Sequence, residues 1–239
     1  MCGRFAQVFE EQGISRIEQI LRAACSVEDL GIPCFNTAPT DQAGIVVQGE
    51  QGQAHRSKRA RFGLVPAWSD GPGTGPMMMN ARSETVREKA AFRGLVRSRR
   101  CVVPISGFFE WEQVAGEKRK RPWYVTRADG GAMLLAGVWD SWVQGGSELD
   151  SFSILTMEPD SFLGAIHDRM PVILENEETG VWMDREASDR EIDRLLGRGP
   201  IVGVLTGHRV GRGVATAARG DAGVIEAIDG EEGEQGTLF

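Results

Sequence analysis

AMLLAGVWDSWV (residues 132–143) and SFSILTM (residues 151–157) are short stretches rich in β-branched and aromatic residues. Four further stretches have the same character: GIVVQ (44–48), CVVPI (101–105), GFFEWEQV (107–114) and PWYVTR (122–127). Glycine, proline or charged residues separate all six, which is typical of antiparallel strands joined by turns. The sequence therefore predicts a mainly antiparallel β core.

Two segments have helical spacing instead. Residues 14–23 (ISRIEQILRA) place isoleucines and a leucine on one helical face. Residues 188–196 begin with Ser188 and Glu191, the spacing of a capping box, and continue with an apolar stripe. Helices flanking a sheet place the chain in the α+β class.

Length and composition fit one soluble domain. The chain has 239 residues, of which 41% are hydrophobic and 26% charged. We expect a single domain over residues 2–227 and a flexible acidic tail over residues 228–239. The sequence contains no apolar run long enough to cross a bilayer and no signal peptide, so we expect a cytoplasmic, nucleoid-associated monomer without membrane contact.

Charge is unevenly distributed along the chain. The formal net charge is −7, but residues 55–121 hold 15 Lys and Arg against 6 Asp and Glu. The stretch AGEKRKR (115–121) predicts an exposed hairpin tip with four successive basic residues. A basic region on an acidic body predicts contact with a polyanion such as nucleic acid. The alternative is an ordinary solvated surface.

The four cysteines predict neither disulfides nor a metal site. Cys2, Cys25, Cys34 and Cys101 form no CxxC pair and have no histidine at zinc spacing. We expect no metal and no other cofactor.

The position of Cys2 would give it unusual reactivity. Removal of Met1 would leave an N-terminal cysteine, whose thiol and α-amine lie two carbons apart. The amine can form a Schiff base with an aldehyde, and the thiol can then close a thiazolidine ring. The alternative for Cys2 alone is a buried apolar cysteine.

Three polar residues lie in otherwise apolar contexts. They are Asn80 after three methionines, Glu110 between Phe109 and Trp111, and His167 after Ile166. Taken singly, they fit a turn cap, an outward strand residue and a satisfied core histidine. Taken together, they could hydrogen-bond and move protons around an imine or a sugar oxygen.

Ordered motifs along residues 2–210 carry a family resemblance. They are MCGRF (1–5), FNTAP (35–39), RFGLVPAW (61–68), NARSET (80–85), RCVVP (100–104), SGFFEW (106–111), Thr156 and IHDRMP (166–171). In this order they resemble the SOS-response-associated peptidase (SRAP) family. The resemblance implies an α+β domain built around a barrel-like sheet.

The same resemblance implies a DNA-repair enzyme that captures abasic sites in single-stranded DNA and shields the lesion in the DNA damage response. Cys2 would be the nucleophile of a thiazolidine crosslink, Asn80 would hydrogen-bond its amine or the sugar, Glu110 would relay protons, and His167 would hold the sugar oxygen. Autoproteolysis and a weak lyase activity are implied as well.

The resemblance also implies a set of DNA contacts. These are Arg4, Asn36, Pro39, Trp68, Arg82, Thr156 and Arg169. Two positions depart from the family pattern, because Phe62 stands where Trp is common and Phe109 where Tyr is common. Residues 206–220 also lack an expected Pro and Asn after His208, so the resemblance does not decide whether they form an edge strand or contact DNA.

The C-terminal pentapeptide QGTLF resembles the pattern by which bacterial proteins dock on the replication sliding clamp. Gln235, Leu238 and Phe239 would be its anchors. Two other functions remain open for the chain as a whole. One is an N-terminal-nucleophile thiol peptidase or amidohydrolase, and the other is a single-strand-binding module in which Cys2 has no role.

Overall fold

The computed structural model describes residues 2–30, 33–49, 53–218 and 220–228. Over these ranges the strands are β1 (Arg4–Gln7), β2 (Ala23–Ala24), β3 (Cys34–Thr37), β4 (Gln42–Val47), β5 (His55–Phe62), β6 (Asn80–Arg82), β7 (Arg100–Ile105), β8 (Gly107–Glu112), β9 (Arg121–Arg127), β10 (Met133–Gln144), β11 (Ser147–Met157), β12 (Met170–Pro171), β13 (Ile173–Leu174) and β14 (Leu205–Arg209). The α-helices are α1 (Glu11–Leu21), α2 (Val27–Leu30), α3 (Leu95–Ser98), α4 (Ser161–Gly164), α5 (Asn176–Met183) and α6 (Asp189–Leu196). Short 3₁₀ segments follow at Arg212–Ala215 and Ala222–Ile225.

Five strands close into a barrel. Neighbouring strands pair antiparallel in the order β5, β4, β7, β10 and β11. Parallel pairing of β11 with β5, with Phe152 opposite Phe62, closes the ring. Gly137 on β10 permits the tight packing, because a Cβ there would lie 2.9 Å from Cys101 Sγ and 3.1 Å from the Ser153 carbonyl oxygen. The α+β class with a barrel-like core is confirmed.

A second sheet of five strands carries the N-terminus. Its order is β14, β9, β8, β1 and β3, and all its pairings are antiparallel. β8 and β9 form a hairpin, as the basic segment 115–121 predicts. The resemblance did not decide whether the segment around His208 forms an edge strand. In the structure it does, because β14 pairs with β9 from Leu205 to Arg209.

β1 is fixed to the barrel at two points. The ring of Phe5 packs edge-on against Phe62, with centroids 5.2 Å apart, and Phe62 stacks on Phe152 at 5.3 Å. The fully buried Gln7 side chain donates to the carbonyls of Gly44 and Pro104 at 2.8 Å. Since an unpaired buried amide is costly, these bonds fix the position of β1 and therefore of Cys2 just before it.

Both helices expected from the sequence form. The first spans Glu11–Leu21, three residues earlier at its start and two earlier at its end than the spacing indicates. The second begins after Ser188, whose side chain caps the Glu191 N–H while Glu191 caps the Ser188 N–H. α5 was not expected, and its weak apolar periodicity explains why.

Several expectations fall beyond the described residues or stay predictions. Gln235, Leu238 and Phe239 lie outside the described ranges, as does nearly all of the expected tail. The boundary at residue 227 stays a prediction. None of the helices in the described part of the chain has the length and apolar composition needed to cross a membrane.

Candidate active site

Cys2 lies buried where the second sheet meets the barrel. Its side chain is fully buried, and Asn80 Nδ2 donates to its backbone carbonyl at 3.3 Å. β1 pairs with β8 so that Arg4 faces Phe109, which brings Cys2 alongside the end of β8 that carries Glu110. Burial raises the pKa of the Cys2 thiol, and the negative charge of Glu110 raises it further. The thiol is therefore kept protonated in this setting.

Asn80 reaches Cys2 from β6. This short strand runs parallel to the end of β11, with Asn80 opposite Ile154. Its Nδ2 is used by the Cys2 carbonyl, whereas its Oδ1 is buried and has no hydrogen-bond partner among the described residues. A buried acceptor without a donor is costly. It marks a place where a bound group with an N–H or O–H would fit.

Glu110 is the buried carboxyl of this site. It lies on β8 with only 2% of its surface exposed. Burial raises its pKa, while the charge of His167 and the backbone N–H of Trp111 oppose the rise. A carboxyl with a raised pKa suits proton transfer near neutral pH.

His167 completes the polar group. It follows α4, and its Nε2 lies 3.8 Å from Glu110 Oε2. Its Nδ1 accepts the backbone N–H of Arg169 at 3.0 Å and also lies 2.9 Å from Asp168 Oδ1. These two contacts require opposite protonation of Nδ1. In either case Nε2 is the ring nitrogen that faces Glu110.

The structure therefore brings Cys2, Asn80, Glu110 and His167 together, although the sequence separates them by up to 165 positions. A thiol, an amide, a carboxyl with raised pKa and an imidazole converge on one point. This arrangement can orient an amine, accept and return a proton, and hold a developing oxygen charge.

The end of β11 organises a second polar group. Thr156 on this strand faces Arg82 of β6 on one side and Pro171 of β12 on the other. Its hydroxyl is buried without a hydrogen-bond partner in the described part of the chain. Arg82 is exposed, so its guanidinium is available at the surface.

Arg169 is held in an ion pair that the sequence did not indicate. Its two terminal nitrogens donate to the carboxylate of Glu84 at 2.7 and 2.8 Å, and one also donates to the Thr156 carbonyl at 2.6 Å. Hydrogen bonding from Arg169 lowers the pKa of Glu84. A phosphate binding here would replace Glu84 as the partner of Arg169. The acidic residue within the NARSET motif was the one available signal for this pair.

Arg4 and Asn36 are used inside the protein. Asn36 is buried and donates to the carbonyls of Val214 and Ala217 at 3.0 and 2.9 Å. Arg4 donates to Asn36 Oδ1 at 3.0 Å and to the Ala215 carbonyl at 2.8 Å. Both side chains thus hold a late segment of the chain against β1, and their DNA contacts stay predictions.

Trp68 lies on an exposed loop fixed at its base. Asp140 accepts the Ala67 N–H at 2.8 Å, and the Trp142 ring donates to the Ser69 carbonyl at 2.9 Å. The Trp68 side chain is 71% exposed, so it does not pack in the core. An exposed indole on an anchored loop is suited to stacking on a base. Pro39 lies half-buried in the turn after β3.

A groove of about 580 Å³ runs from Trp68 to Asn80. Arg82, Lys89 and Phe92 also line it. The groove therefore offers apolar surface and positive charge along one path, the combination expected for a single nucleic acid strand.

Arg100, a basic residue within the 55–121 region, has a structural role inside the protein. Arg100 is buried and donates to the carbonyls of Trp182, Val96, Arg97 and Asp184, so it does not widen a positive surface.

The two departures from the family pattern lie in apolar surroundings. Phe62 is fully buried between two other phenylalanine rings, and Phe109 is fully buried 5.0 Å from the ring of Tyr124. His208 contacts the Ile225 carbonyl at 2.8 Å through Nε2.

The cysteines and acidic residues form no metal centre in the ranges described here. No cluster of three or more His, Cys, Asp or Glu side chains lies there in a position to hold an ion. Burial raises the pKa of Cys101 as well, and that of Cys25 to about 12, mainly through desolvation.

Comparison with known proteins agrees with this picture. The model of the family "SOS response associated peptidase (SRAP)" matches residues 1–217. The abasic site processing protein YoqW of Bacillus subtilis is 33% identical over 79% of this chain and 83% of its own length. The abasic site processing protein YedK of Escherichia coli is 28% identical over 95% of this chain and its full length. A crystal structure from Bacteroides thetaiotaomicron, 22% identical, shares the fold with a TM-score of 0.81 over 95% of this chain and the whole of that one. The chain therefore belongs to the SRAP family.

Proposed function

We propose that the protein processes abasic sites by capturing them covalently in single-stranded DNA through Cys2, after removal of Met1. The arrangement of Cys2 beside Asn80 and the buried Glu110 carries the proposal. Relatives that bear the name abasic site processing protein support it, as does the family match. The crosslink would shield the lesion during the DNA damage response.

The chemistry follows from the groups at the site. The α-amine of Cys2 attacks the C1′ aldehyde of the ring-opened deoxyribose, and the resulting carbinolamine loses water to give an imine. The thiol sulfur then adds to the imine carbon, and its proton passes to the nitrogen, which closes a thiazolidine. The raised pKa of the thiol supports this order, because a protonated thiol leaves the first attack to the amine.

Glu110 and His167 would supply the proton transfers. Glu110 accepts a proton from the amine and returns it to the leaving hydroxyl, which fits a buried carboxyl whose pKa is raised. Nε2 of His167 faces the same carboxyl and can hold the sugar oxygen. Asn80, which binds the Cys2 carbonyl, orients the nucleophile and offers its unpaired Oδ1 to the amine or a sugar hydroxyl.

Contacts to DNA would follow the groove from Trp68 to Arg82. Trp68 stacks on a base, Arg82 binds a phosphate, and Thr156 adds a hydroxyl beside the lesion. Arg169 joins them when a phosphate replaces Glu84. Arg4, Asn36 and Pro39 complete the proposed path at the edge of the second sheet.

The decisive experiment incubates the purified protein with a single-stranded oligonucleotide that contains one abasic site. We expect a denaturation-resistant adduct on protein that lacks Met1, with a mass lower by one water than the sum of the two reactants. Cys2→Ala and undamaged DNA are the controls. Absence of the adduct from folded protein lacking Met1 would overturn the proposal.

A weaker activity, strand cleavage, follows from the same imine intermediate. The imine acidifies the neighbouring C2′ position, so loss of that proton can eliminate the 3′ phosphate and cut the strand. Cys2→Ala keeps an α-amine and should therefore retain slow strand cleavage without a stable adduct. Self-cleavage of the peptide bond before Cys2, the other weak activity, would expose the same α-amine.

The thiol peptidase alternative makes a separate prediction. It would have the thiolate attack an amide, whereas burial and Glu110 both disfavour the thiolate. Turnover of a peptide substrate that depends on Cys2 would favour it over aldehyde capture.

We also propose that the C-terminal residues Gln235, Leu238 and Phe239 dock on the sliding clamp. This would place a cytoplasmic, nucleoid-associated monomer at the replication fork. Deletion of residues 235–239 should abolish binding to the purified clamp and leave capture of abasic DNA unchanged. Unaltered clamp affinity after the deletion would remove this proposal.

A further inference from the structure

The hairpin between β8 and β9 carries a basic surface that the proposed reaction does not use. Lys118, Arg119 and Lys120 lie at its tip, and all three side chains are exposed. Arg121 begins β9 and forms an ion pair with Glu117 inside the hairpin.

Two arginines from the end of the chain extend this surface. Arg212, which is 56% exposed, lies 3.7 Å from Glu117, and the charge of Arg209 also lowers the pKa of Glu117. We call these residues the hairpin patch: Lys118, Arg119, Lys120, Arg121, Arg209 and Arg212, with the acids Glu112 and Glu117. Six cations and two carboxylates give the patch a formal charge of +4, on a chain whose net charge is −7.

The hairpin patch lies at the same end of the second sheet as Cys2. β1 pairs with β8 up to Arg4 opposite Phe109, so the residues before Arg4 run alongside the last part of β8, where the hairpin begins. The 3₁₀ segment Arg212–Ala215 links the two regions, because its first residue faces Glu117 and the carbonyl of its last residue binds Arg4. At about 2 Å per residue this four-residue segment spans only about 8 Å.

We propose that the hairpin patch binds the phosphates of the DNA several nucleotides away from the abasic site. A strand that runs from Cys2 to the patch would reach it several nucleotides from the lesion. The proposal rests on the function proposed above, because it takes the DNA held at Cys2 as its ligand. Its chemistry is electrostatic, so it adds affinity without base preference.

The test compares two variants in the full chain. K118Q/R119Q/K120Q replaces the three tip cations with neutral polar side chains. The matched control R16Q/R22Q/R185Q removes three exposed arginines around α1 and the segment after α5. α1 follows the end of β1 that is remote from Cys2, so this control changes net charge equally and leaves the hairpin edge intact.

Binding is measured with an unreactive tetrahydrofuran analogue of the abasic site, placed at the centre of oligonucleotides of about 5 and about 25 nucleotides. On the long oligonucleotide we expect the tip variant to bind about tenfold or more weakly, with a salt slope shallower by about 2 for three lost contacts. On the short oligonucleotide the tip variant should bind with wild-type affinity. The control variant should bind both oligonucleotides with wild-type affinity. The capture rate at saturating DNA should not change.

Other outcomes overturn the proposal. Equal weakening on both oligonucleotides, or none on the long one, would show that the patch makes no distant contact. If removal of residues 229–239 tightens binding by wild type but not by the tip variant, the patch serves the chain's own acidic tail instead. If the triple variant fails to unfold cooperatively in a thermal melt, K118Q/K120Q takes its place.

The experiment separates this proposal from the function on which it rests. If the tip variant shows the length-dependent loss while wild-type protein forms no adduct with a true abasic site, covalent capture is refuted and the patch is retained. Adduct formation without a length-dependent loss would do the reverse.

Discussion

Replacing Glu110 by glutamine should slow adduct formation and, at the same time, stabilise the folded protein. The residue is only 2% exposed, and burial raises the pKa of its carboxyl above that of an unfolded chain. Folding therefore binds a proton, so stability is highest at low pH, where the carboxyl is protonated in both states. It is lost as the pH rises through the folded-state pKa. The amide of the variant would resemble the protonated carboxyl and avoid this loss.

The magnitude follows from the desolvation penalty of a buried polar group, about 1–3 kcal/mol, because desolvation is the main cause of the raised pKa of Glu110. The variant should gain this amount above the folded-state pKa and nothing below about pH 4, where the wild-type carboxyl is also neutral. For a chain of this size the gain corresponds to about 2–4 °C in Tm for each kcal/mol. Losing the proton relay should slow adduct formation by about 10²- to 10⁴-fold, with DNA affinity unchanged.

The assay follows thermal unfolding from pH 4 to pH 8.5, together with single-turnover adduct formation. Glu112→Gln, the same change two residues further along β8, is the control and should leave the capture rate unchanged. A variant that is less stable than wild type at pH 8, or whose advantage grows toward pH 4, would refute the electrostatic argument. Capture at the wild-type rate would remove Glu110 from the proton transfers.

Arg82→Ala should weaken binding to an unreactive abasic oligonucleotide and reduce the salt slope by about 0.7, with an unchanged capture rate at saturation; an unchanged slope would exclude a phosphate contact. Gly107→Ala should cost about 1–3 kcal/mol in thermal unfolding, because a Cβ there would lie 2.3 Å from the Tyr124 ring; wild-type stability would mean that the ring moves easily. Arg100→Met should cost at least about 1–3 kcal/mol in denaturant unfolding, since four carbonyls lose their donor, and a neutral result would contradict that role. Truncation after Glu234 should leave adduct formation unchanged in vitro, and a slower reaction would assign the last five residues a role in capture.

The β core was predictable because its strands carry a local signal. Six apolar stretches became strands at nearly the expected bounds, since β-branched and aromatic residues favour a half-buried pleated surface. β5, with the sequence HRSKRARF, was missed because its charges resemble a solvated cluster. In the fold Lys58 forms an ion pair with Asp150 and lies 4.4 Å from the centroid of the Trp139 ring, partners that no local pattern reveals.

The sequence indicated which residues would form the candidate site, but it did not indicate their geometry. Polar residues in apolar settings, together with ordered motifs, indicated Cys2, Asn80, Glu110 and His167 as a group. The ion pair between Arg169 and Glu84 depends on β6 and β12 flanking the same strand, which is a property of the fold. The buried role of Asn36 likewise depends on a segment about 180 residues away.

The bond between Arg4 and the Ala215 carbonyl joins residues that are 211 positions apart. At translation rates of about 5–20 residues per second, the partner of Arg4 is made roughly 10–40 s after Arg4 itself. During that interval β1 can already pair with β3 and β8, but Arg4 lacks the carbonyl that binds it in the folded protein. This contact beside the candidate site forms only after synthesis has passed residue 215, so a chain that stops earlier lacks it.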